Sequence, residues 1–231
     1  MAEAAGGRPG RPVVWVNCAA SLDGRLAYAE GVRARLSSPE DLVRVQRMRA
    51  SSDGILVGVG TVVKDDPSLR VHWELLGEPP GRTPARIVLD SHGRTPATAR
   101  VLDGSAPTIV ATAAGCARTF PAHVRVVAAG RSRVDLNELF PRLYGLGIHQ
   151  LMVEGGAEVI ADVLRSGLFD RLTVYYAPVV IGGTTAPPVA AGPESRNDGD
   201  AVPLRLTGLE RMGEGHVATY EPRRASSDRD R

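Results

Sequence analysis

Two short blocks of this chain hold most of the residues that could do chemistry. The first reads Leu151-Met152-Val153-Glu154-Gly155-Gly156-Ala157-Glu158-Val159-Ile160-Ala161-Asp162. An apolar run ends on a carboxylate, two glycines follow, and a helical pattern begins. Residues without a Cβ let the backbone turn tightly and lie close to a ligand. The amide N–H groups that open a helix have no partner within it and sit at the positive end of its dipole, which makes them a natural seat for phosphate. The second block reads Asp53-Gly54-Ile55-Leu56-Val57-Gly58-Val59-Gly60-Thr61-Val62-Val63-Lys64-Asp65-Asp66-Pro67-Ser68-Leu69-Arg70-Val71-His72. Ile55–Val57 is a short apolar strand, and Gly58 and Gly60 clear space at its end. Thr61 offers a hydroxyl, Asp65 and Asp66 two carboxylates, and Lys64 and Arg70 positive charge. By itself Asp-Asp-Pro is ordinary turn chemistry. Beside the first block it becomes a set of acid–base groups next to a phosphate seat.

A third candidate is Arg49. Ser38 at an N-cap position, Pro39 at the first helical position and Asp41 two residues later mark the start of a helix over Pro39–Ala50. Leu42, Val45 and Arg49 then share one face. An arginine on an apolar helix face needs an anion there, or its charge is buried unpaired at a cost of several kcal/mol; otherwise it snorkels to the edge. The functional reading is a phosphate clamp.

These groups must be held by a scaffold, and the hydrophobic pattern supplies one. Val13–Cys18, Gly54–Val57, Arg86–Asp90, Thr108–Thr112, Val124–Val127, Gln150–Val153 and Leu172–Ala177 have strand length and composition. Leu204–Met212 and His216–Tyr220 read as a closing antiparallel hairpin. Helices are expected over Pro39–Ala50, Leu136–Leu146 and Ala157–Ser166. Strands alternating with helices predict a single α/β domain with a mostly parallel sheet, spanning residues 13–221 between poorly ordered tails at 1–12 and 222–231. Thr184–Pro203 is long for a loop without structure of its own, and is expected to fold over a site or against a second subunit.

Bulk properties narrow the class. The 231 residues carry a formal net charge of +2, too small to argue for nucleic acid or an anionic membrane surface. Cys18 and Cys116 form no disulfide framework, and the five histidines are never in metal-ligand spacing, so no metal site is expected. No stretch approaches the roughly 18 apolar residues of a membrane span, and the first twelve residues lack the apolar core of a signal peptide. The expected compartment is the cytoplasm.

With these blocks in hand, the chain resembles the reductases of riboflavin biosynthesis. It looks most like the stand-alone archaeal-type 2,5-diamino-6-ribosylamino-4(3H)-pyrimidinone 5′-phosphate reductases, and is similar to the C-terminal reductase half of the bacterial bifunctional deaminase–reductases. The resemblance runs from Val13 to Tyr220. It is carried by Asn17-Cys18-Ala19-Ala20-Ser21-Leu22-Asp23-Gly24-Arg25, by Gly58…Thr61…Lys64-Asp65-Asp66-Pro67, by Arg86-Ile87-Val88-Leu89-Asp90-Ser91, by Val153-Glu154-Gly155-Gly156 and by Ala177-Pro178-Val179-Val180-Ile181-Gly182-Gly183. It implies a dihydrofolate-reductase-like fold, a homodimer, NADPH as cofactor, and hydride transfer to C1′ of a ring-opened ribosylaminopyrimidine phosphate to give a ribityl product.

Carried over by position, the resemblance implies cofactor contacts at Ala20, Arg35, Thr61, Asp65, Ser91 and Gly155 through Gly156, Ala157, Glu158, Val159, Ile160, Ala161 and Asp162. It implies substrate contacts at Arg33, Arg49, Leu69, His72 and Glu154. Asp65 and Glu154 are the candidates to bind ribose hydroxyls and manage the proton. Arg25 occupies a position where many members have lysine; always charged, it suits anchoring better than proton transfer. The chain lacks the His-x-Glu…Pro-Cys-x-x-Cys signature of a zinc deaminase, so reduction without deamination is expected. The diaminopyrimidinone is the favoured substrate, with the aminouracil, a pterin or a specialised-metabolism pyrimidine as alternatives. A non-catalytic nucleotide-binding module is the reading from a different class.

Overall fold

The computed structural model describes residues 10–29 and 32–223. The expectations for the tails fall mostly outside them. In chain order the elements are β1 (Val13–Ser21), α1 (Pro39–Ser51), β2 (Gly54–Gly58), α2 (Val59–Asp65), β3 (Ala85–Leu89), β4 (Thr108–Thr112), β5 (Val124–Ala128), α3 (Leu136–Gly145), β6 (Gln150–Gly155), α4 (Ala157–Arg165), β7 (Arg171–Ala177), β8 (Leu204–Met212) and β9 (Gly215–Pro222). The strands form one nine-stranded sheet in the order β5-β4-β3-β2-β6-β1-β7-β9-β8. All pairings from β5 to β7 are parallel, and β9 runs antiparallel to both β7 and β8. The internal strands β2 and β4 are buried at every position, as parallel strands covered on both faces must be. This is the single α/β domain and terminal hairpin that the hydrophobic pattern predicts.

The two faces of the sheet are covered differently. On one, Val14, Val16, Leu56, Ile87, Leu151 and Val153 meet Phe140 and Leu143 of α3 and Ile160 and Val163 of α4 in a continuous apolar core. On the other, Ile55, Val57 and Val88 pack with Val59, Val62, Leu69, Val101 and Leu102, while α1 reaches Glu154 of β6 and Asn17 of β1 through polar side chains.

Two local differences from expectation have physical causes, and the long connection shows where it folds. Val59–Asp65, to which the sequence reading assigns no helix, is helical; its glycine and valines are weak helix formers, but burial of Val59 and Val62 holds it, and Asp66 closes it with a left-handed φ of 39°. Arg11, expected in a loose lead, docks by a forked pair on Asp170 at 2.7 and 2.9 Å, and Asp170 also accepts the Val14 N–H at 2.9 Å. The connection from Pro178 to Pro203 folds back over its own chain. Asp23 accepts the Ile181 and Gly182 amides at 3.0 and 2.7 Å, Arg25 bridges Pro188, and Ala191 N–H donates to Ala157 O at 3.0 Å.

Candidate active site

Helix α1 starts as its sequence predicts: Ser38 Oγ accepts the Asp41 N–H at 3.3 Å, with Pro39 in the first turn. The face it turns inward is not the predicted one. Leu42 is 46% exposed, whereas Asp41 and Gln46 are buried. Arg49 has its anion, and the anion is the chain's own. Its Nε and Nη2 donate to Oε1 and Oε2 of Glu154, both at 2.6 Å, and Nη1 donates to Arg70 O at 2.8 Å. The pair is nearly closed to solvent, with side-chain exposures of 14% and 12%. Burial opposes the guanidinium charge, but the charge and hydrogen bonds of Glu154 outweigh it, and the Arg49 pKa lies above the ordinary arginine value. Arg49 thus meets an anion although the apolar face assumed for it is not the one turned inward, and that anion is Glu154.

That pairing separates the two candidate carboxylates. Both oxygens of Glu154 are engaged by Arg49. Asp65, at the end of α2, is exposed and accepts no side-chain hydrogen bond among the described residues.

The segment after α2 is fastened to α1. Gln46 Oε1 accepts the His72 N–H at 2.9 Å, and Arg49 holds Arg70 O. Leu69 is 2% exposed and has a φ of 49°, a conformation rare for a side chain of its size. Such residues persist where the surroundings over-determine them, often at ligand sites. The His72 ring, about half exposed, meets Glu74 at 2.9 Å. The sequence reading missed Gln46, a polar residue one turn before Arg49.

Directly after Glu154, Gly155 has a φ of 118° and is joined to Gly156 by a cis peptide. Gly156 caps α4 in extended conformation with no side-chain bond to the helix amides. The N–H groups of Ala157, Glu158 and Val159 thus open the helix without an intrahelical acceptor. A Cβ on Gly156 would lie 3.2 Å from Thr61 Oγ1, and one on Gly58 2.8 Å from Val159 Cγ2. The cradle of bare backbone, hydroxyl and open amides fits a diphosphate. Within the predicted cofactor run, Ile160 and Ala161 are core residues at 0% and 3% exposure, because α4 must bury that side against the sheet. Ala20, at 0%, likewise faces the core, leaving only its backbone. Asp162 pairs with Arg133.

Arg25 donates from Nη1 to Ala186 O at 3.0 Å, while its Nε is buried without a partner. It serves to fasten the turn after β1 to the long connection. Arg33 and Arg35 are exposed and alternate with Ala34 and Leu36, which pack inward against Tyr175 and Ala177. They are not brought to the Glu154–Arg49 pair by any hydrogen bond among the described residues. Ser91 Oγ accepts the Val134 N–H at 3.0 Å. Also unforeseen is a buried polar group beneath α1: Arg44 joins Asp41 at 2.7 Å and Asn17 Oδ1 at 2.8 Å. An i,i+3 acid–base pair facing a strand asparagine is its trace in the sequence.

Residues 12–218 match the RibD C-terminal domain. The chain belongs to that family. Among RibD C-terminal domain relatives, it is 40% identical to the 2,5-diamino-6-ribosylamino-4(3H)-pyrimidinone 5′-phosphate reductase of Methanothermobacter thermautotrophicus, over 91% of this chain and 98% of the relative. It is 35% identical to the riboflavin biosynthesis protein RibD of Bacillus amyloliquefaciens, over 94% of this chain but 59% of the relative. The bifunctional deaminase–reductase of Thermotoga maritima superposes with a TM-score of 0.79 at 25% identity, over 92% of this chain and 57% of that one. The riboflavin biosynthesis reductase of Saccharomyces cerevisiae shares the fold, with a TM-score of 0.73 at 24% identity over 94% of this chain and 92% of that one. As a member of this family the protein is an oxidoreductase, with the dihydrofolate-reductase-like fold that the resemblance implies.

Proposed function

We propose that this protein is an NADPH-dependent reductase that converts the ribosyl group of 2,5-diamino-6-ribosylamino-4(3H)-pyrimidinone 5′-phosphate to ribityl. The observation that supports this reading best is an adjacency. Glu154, locked onto Arg49, and Gly156, which opens the phosphate cradle, are two residues apart on one strand–turn–helix. A substrate bound against the ion pair and a cofactor seated on α4 then meet at the carboxyl end of β6.

NADPH, when bound, supplies the hydride for C1′ of the ring-opened sugar. The chain's task is placement and the proton. Gly156 and the amides of Ala157 to Val159 hold the diphosphate, and Thr61 adds a hydroxyl. Arg49 holds Glu154 in position to accept bonds from ribose hydroxyls, and its remaining N–H groups face the substrate alongside Leu69 and His72. Asp65, not committed to a partner, is the group that delivers a proton as the imine is reduced. Arg25 supports the site by fastening the turn after β1. The protein acts in the cytoplasm as a homodimer; Leu206 and Leu209 on the edge strand β8, 53% and 65% exposed, are apolar surface that such an interface covers.

A second substrate has support from the RibD relatives: the aminouracil, which differs by one exocyclic group. Following NADPH oxidation with each pyrimidine phosphate in turn decides between them. Asp65→Asn keeps shape and removes proton capacity, so kcat should fall by about 10²–10⁴-fold with NADPH affinity retained. A variant with near-normal kcat would transfer the proton role to water or to the substrate itself.

A further inference from the structure

Asp66 and Arg70, two of the charges that accompany Asp65 in the sequence, make their side-chain bonds at one place. It is the short 3₁₀ turn Arg100–Leu102 between β3 and β4, with Asp103 at its end. Asp66 Oδ1 accepts the Arg100 N–H at 2.8 Å. Arg70 Nη2 donates to Asp103 Oδ2 at 2.9 Å.

Alone, the second contact would count for little. Both side chains are partly open to solvent, and an exposed pair loses much of its attraction to screening and to the entropy of holding two side chains together. Asp103, however, is already fixed. Its Oδ1 accepts Arg86 Nη1 at 2.8 Å and the Ser105 N–H at 2.9 Å, together with the Ser105 hydroxyl. These bonds, that of the hydroxyl first, hold its carboxyl well below the usual carboxylate range. Arg86 in turn has no exposed surface, and it also donates to Thr108 Oγ1 and to the carbonyls of Arg100 and Ala106. The second oxygen of Asp103 is therefore a rigidly held anion presented to Arg70.

Arg70 carries this anchorage to the site. Its carbonyl accepts Arg49 Nη1 at 2.8 Å, and the same guanidinium holds Glu154. The residue before it is Leu69, buried with its left-handed φ of 49°. A backbone of that kind persists where the surroundings over-determine it. Here α1 holds the segment through Arg49 and Gln46, and the turn holds it through Asp66 and Arg70.

We propose that Asp103 and Arg70 are positioning residues for the substrate. An ionic relay from the buried Arg86 through Asp103 and Arg70 fixes Leu69–His72 against Arg49, and so sets the geometry in which the Arg49–Glu154 pair meets the ribosyl phosphate. The inference rests on the proposed reductase function, and adds to it two side chains that act without touching the substrate.

Steady-state kinetics and amide exchange on the full chain test the relay. Arg70→Ala leaves the Arg86–Asp103 contact intact. KM for the pyrimidine phosphate should rise about 3- to 10-fold, the scale of one partly exposed pair acting through geometry, with NADPH affinity within about twofold of wild type. Exchange over Leu69–His72 should accelerate by a similar factor while β3 keeps its protection. Arg70→Lys keeps the charge and should restore part of the KM. Asp103→Asn turns one acceptor into a donor and breaks the relay at one end or the other. Per folded molecule it should reproduce the Arg70→Ala effects, and the double variant should be no worse than either single, because both cut one link. Additive losses with unchanged exchange would make Arg70 a substrate contact and overturn the relay, as would a wild-type KM in Arg70→Ala. A wild type that oxidises NADPH with neither pyrimidine phosphate overturns the reductase reading, and the substrate-positioning role with it.

Discussion

Over β6 and β1 the sheet has one face that is dry and one that is wired. Under α3 and α4, side chains such as Phe140, Leu143, Ile160 and Val163 are fully buried and entirely apolar. Under α1, Asp41, Arg44, Gln46 and Arg49 reach Asn17, the His72 backbone and Glu154. Both faces cover the same strands, β6 and β1, so strand position cannot explain the contrast. The apolar face is where burial of area contributes stability at roughly 25 cal/mol per Å². The polar face gains little net stability, because each charge brought out of water must be repaid by a partner. What it gains is geometry: two side chains fixed at 2.6 Å beside an open glycine turn. Over β6 and β1 the division gives apolar packing to one side and a fixed ion pair to the other.

The sharpest way to break this comparison is to damage the dry face. Phe140→Ala should cost about 3–5 kcal/mol of folding stability, read by urea unfolding, with kcat/KM per folded molecule within about twofold of wild type. Loss of activity per folded molecule would mean that the faces are coupled and the division fails.

A smaller effect comes from the wired face. Glu154→Gln leaves a nearly buried guanidinium beside a neutral amide and should cost about 2–3 kcal/mol. Adding Arg49→Met removes the unpaired charge and should return part of that stability while leaving activity low. If the double variant regains activity along with stability, the pair is merely structural.

The smallest effect is a pH dependence at the rim of the polar face. The Asp23 carboxyl is lowered to about 2, first by the Ser21 hydroxyl and then by the Ile181 and Gly182 amides. A depressed carboxyl contributes stability above its unfolded value, near 3.9, and loses it as pH falls toward about 2. Amide exchange at Ile181 and Gly182 should therefore accelerate as pH drops through that window, relative to the exchange expected of unprotected amides. Asp23→Asn should remove this acceleration; its persistence in the variant would assign it to another group.

Much of this molecule was legible before its structure. The strands, three of the helices and the closing hairpin follow from period and length, since a buried parallel strand must be a short apolar run and an amphipathic helix must repeat near 3.6 residues. The glycine turn was legible as well, because only residues without a Cβ can leave α4 open beside Thr61. Arg49 stood out in the sequence, but the apolar face assumed for it, with Leu42, is not the one that α1 turns inward.

The partner of Arg49 was not legible. Glu154 is 105 positions away, and a helix face says that charge must be balanced, not by what. The same limit hid Arg44 against Asn17 and Gln46 against His72, pairs that exist only once α1 lies across β6 and β1. It also hid the helix Val59–Asp65, whose weak propensity was overridden by burial of Val59 and Val62. The sequence by itself determined the elements and the turn chemistry, which depend on neighbours along the chain. The tertiary structure alone decided which charges meet, because pairing depends on distance in space, and the 2.6 Å contact that ties up Glu154 and leaves Asp65 open is set by how α1 crosses the sheet.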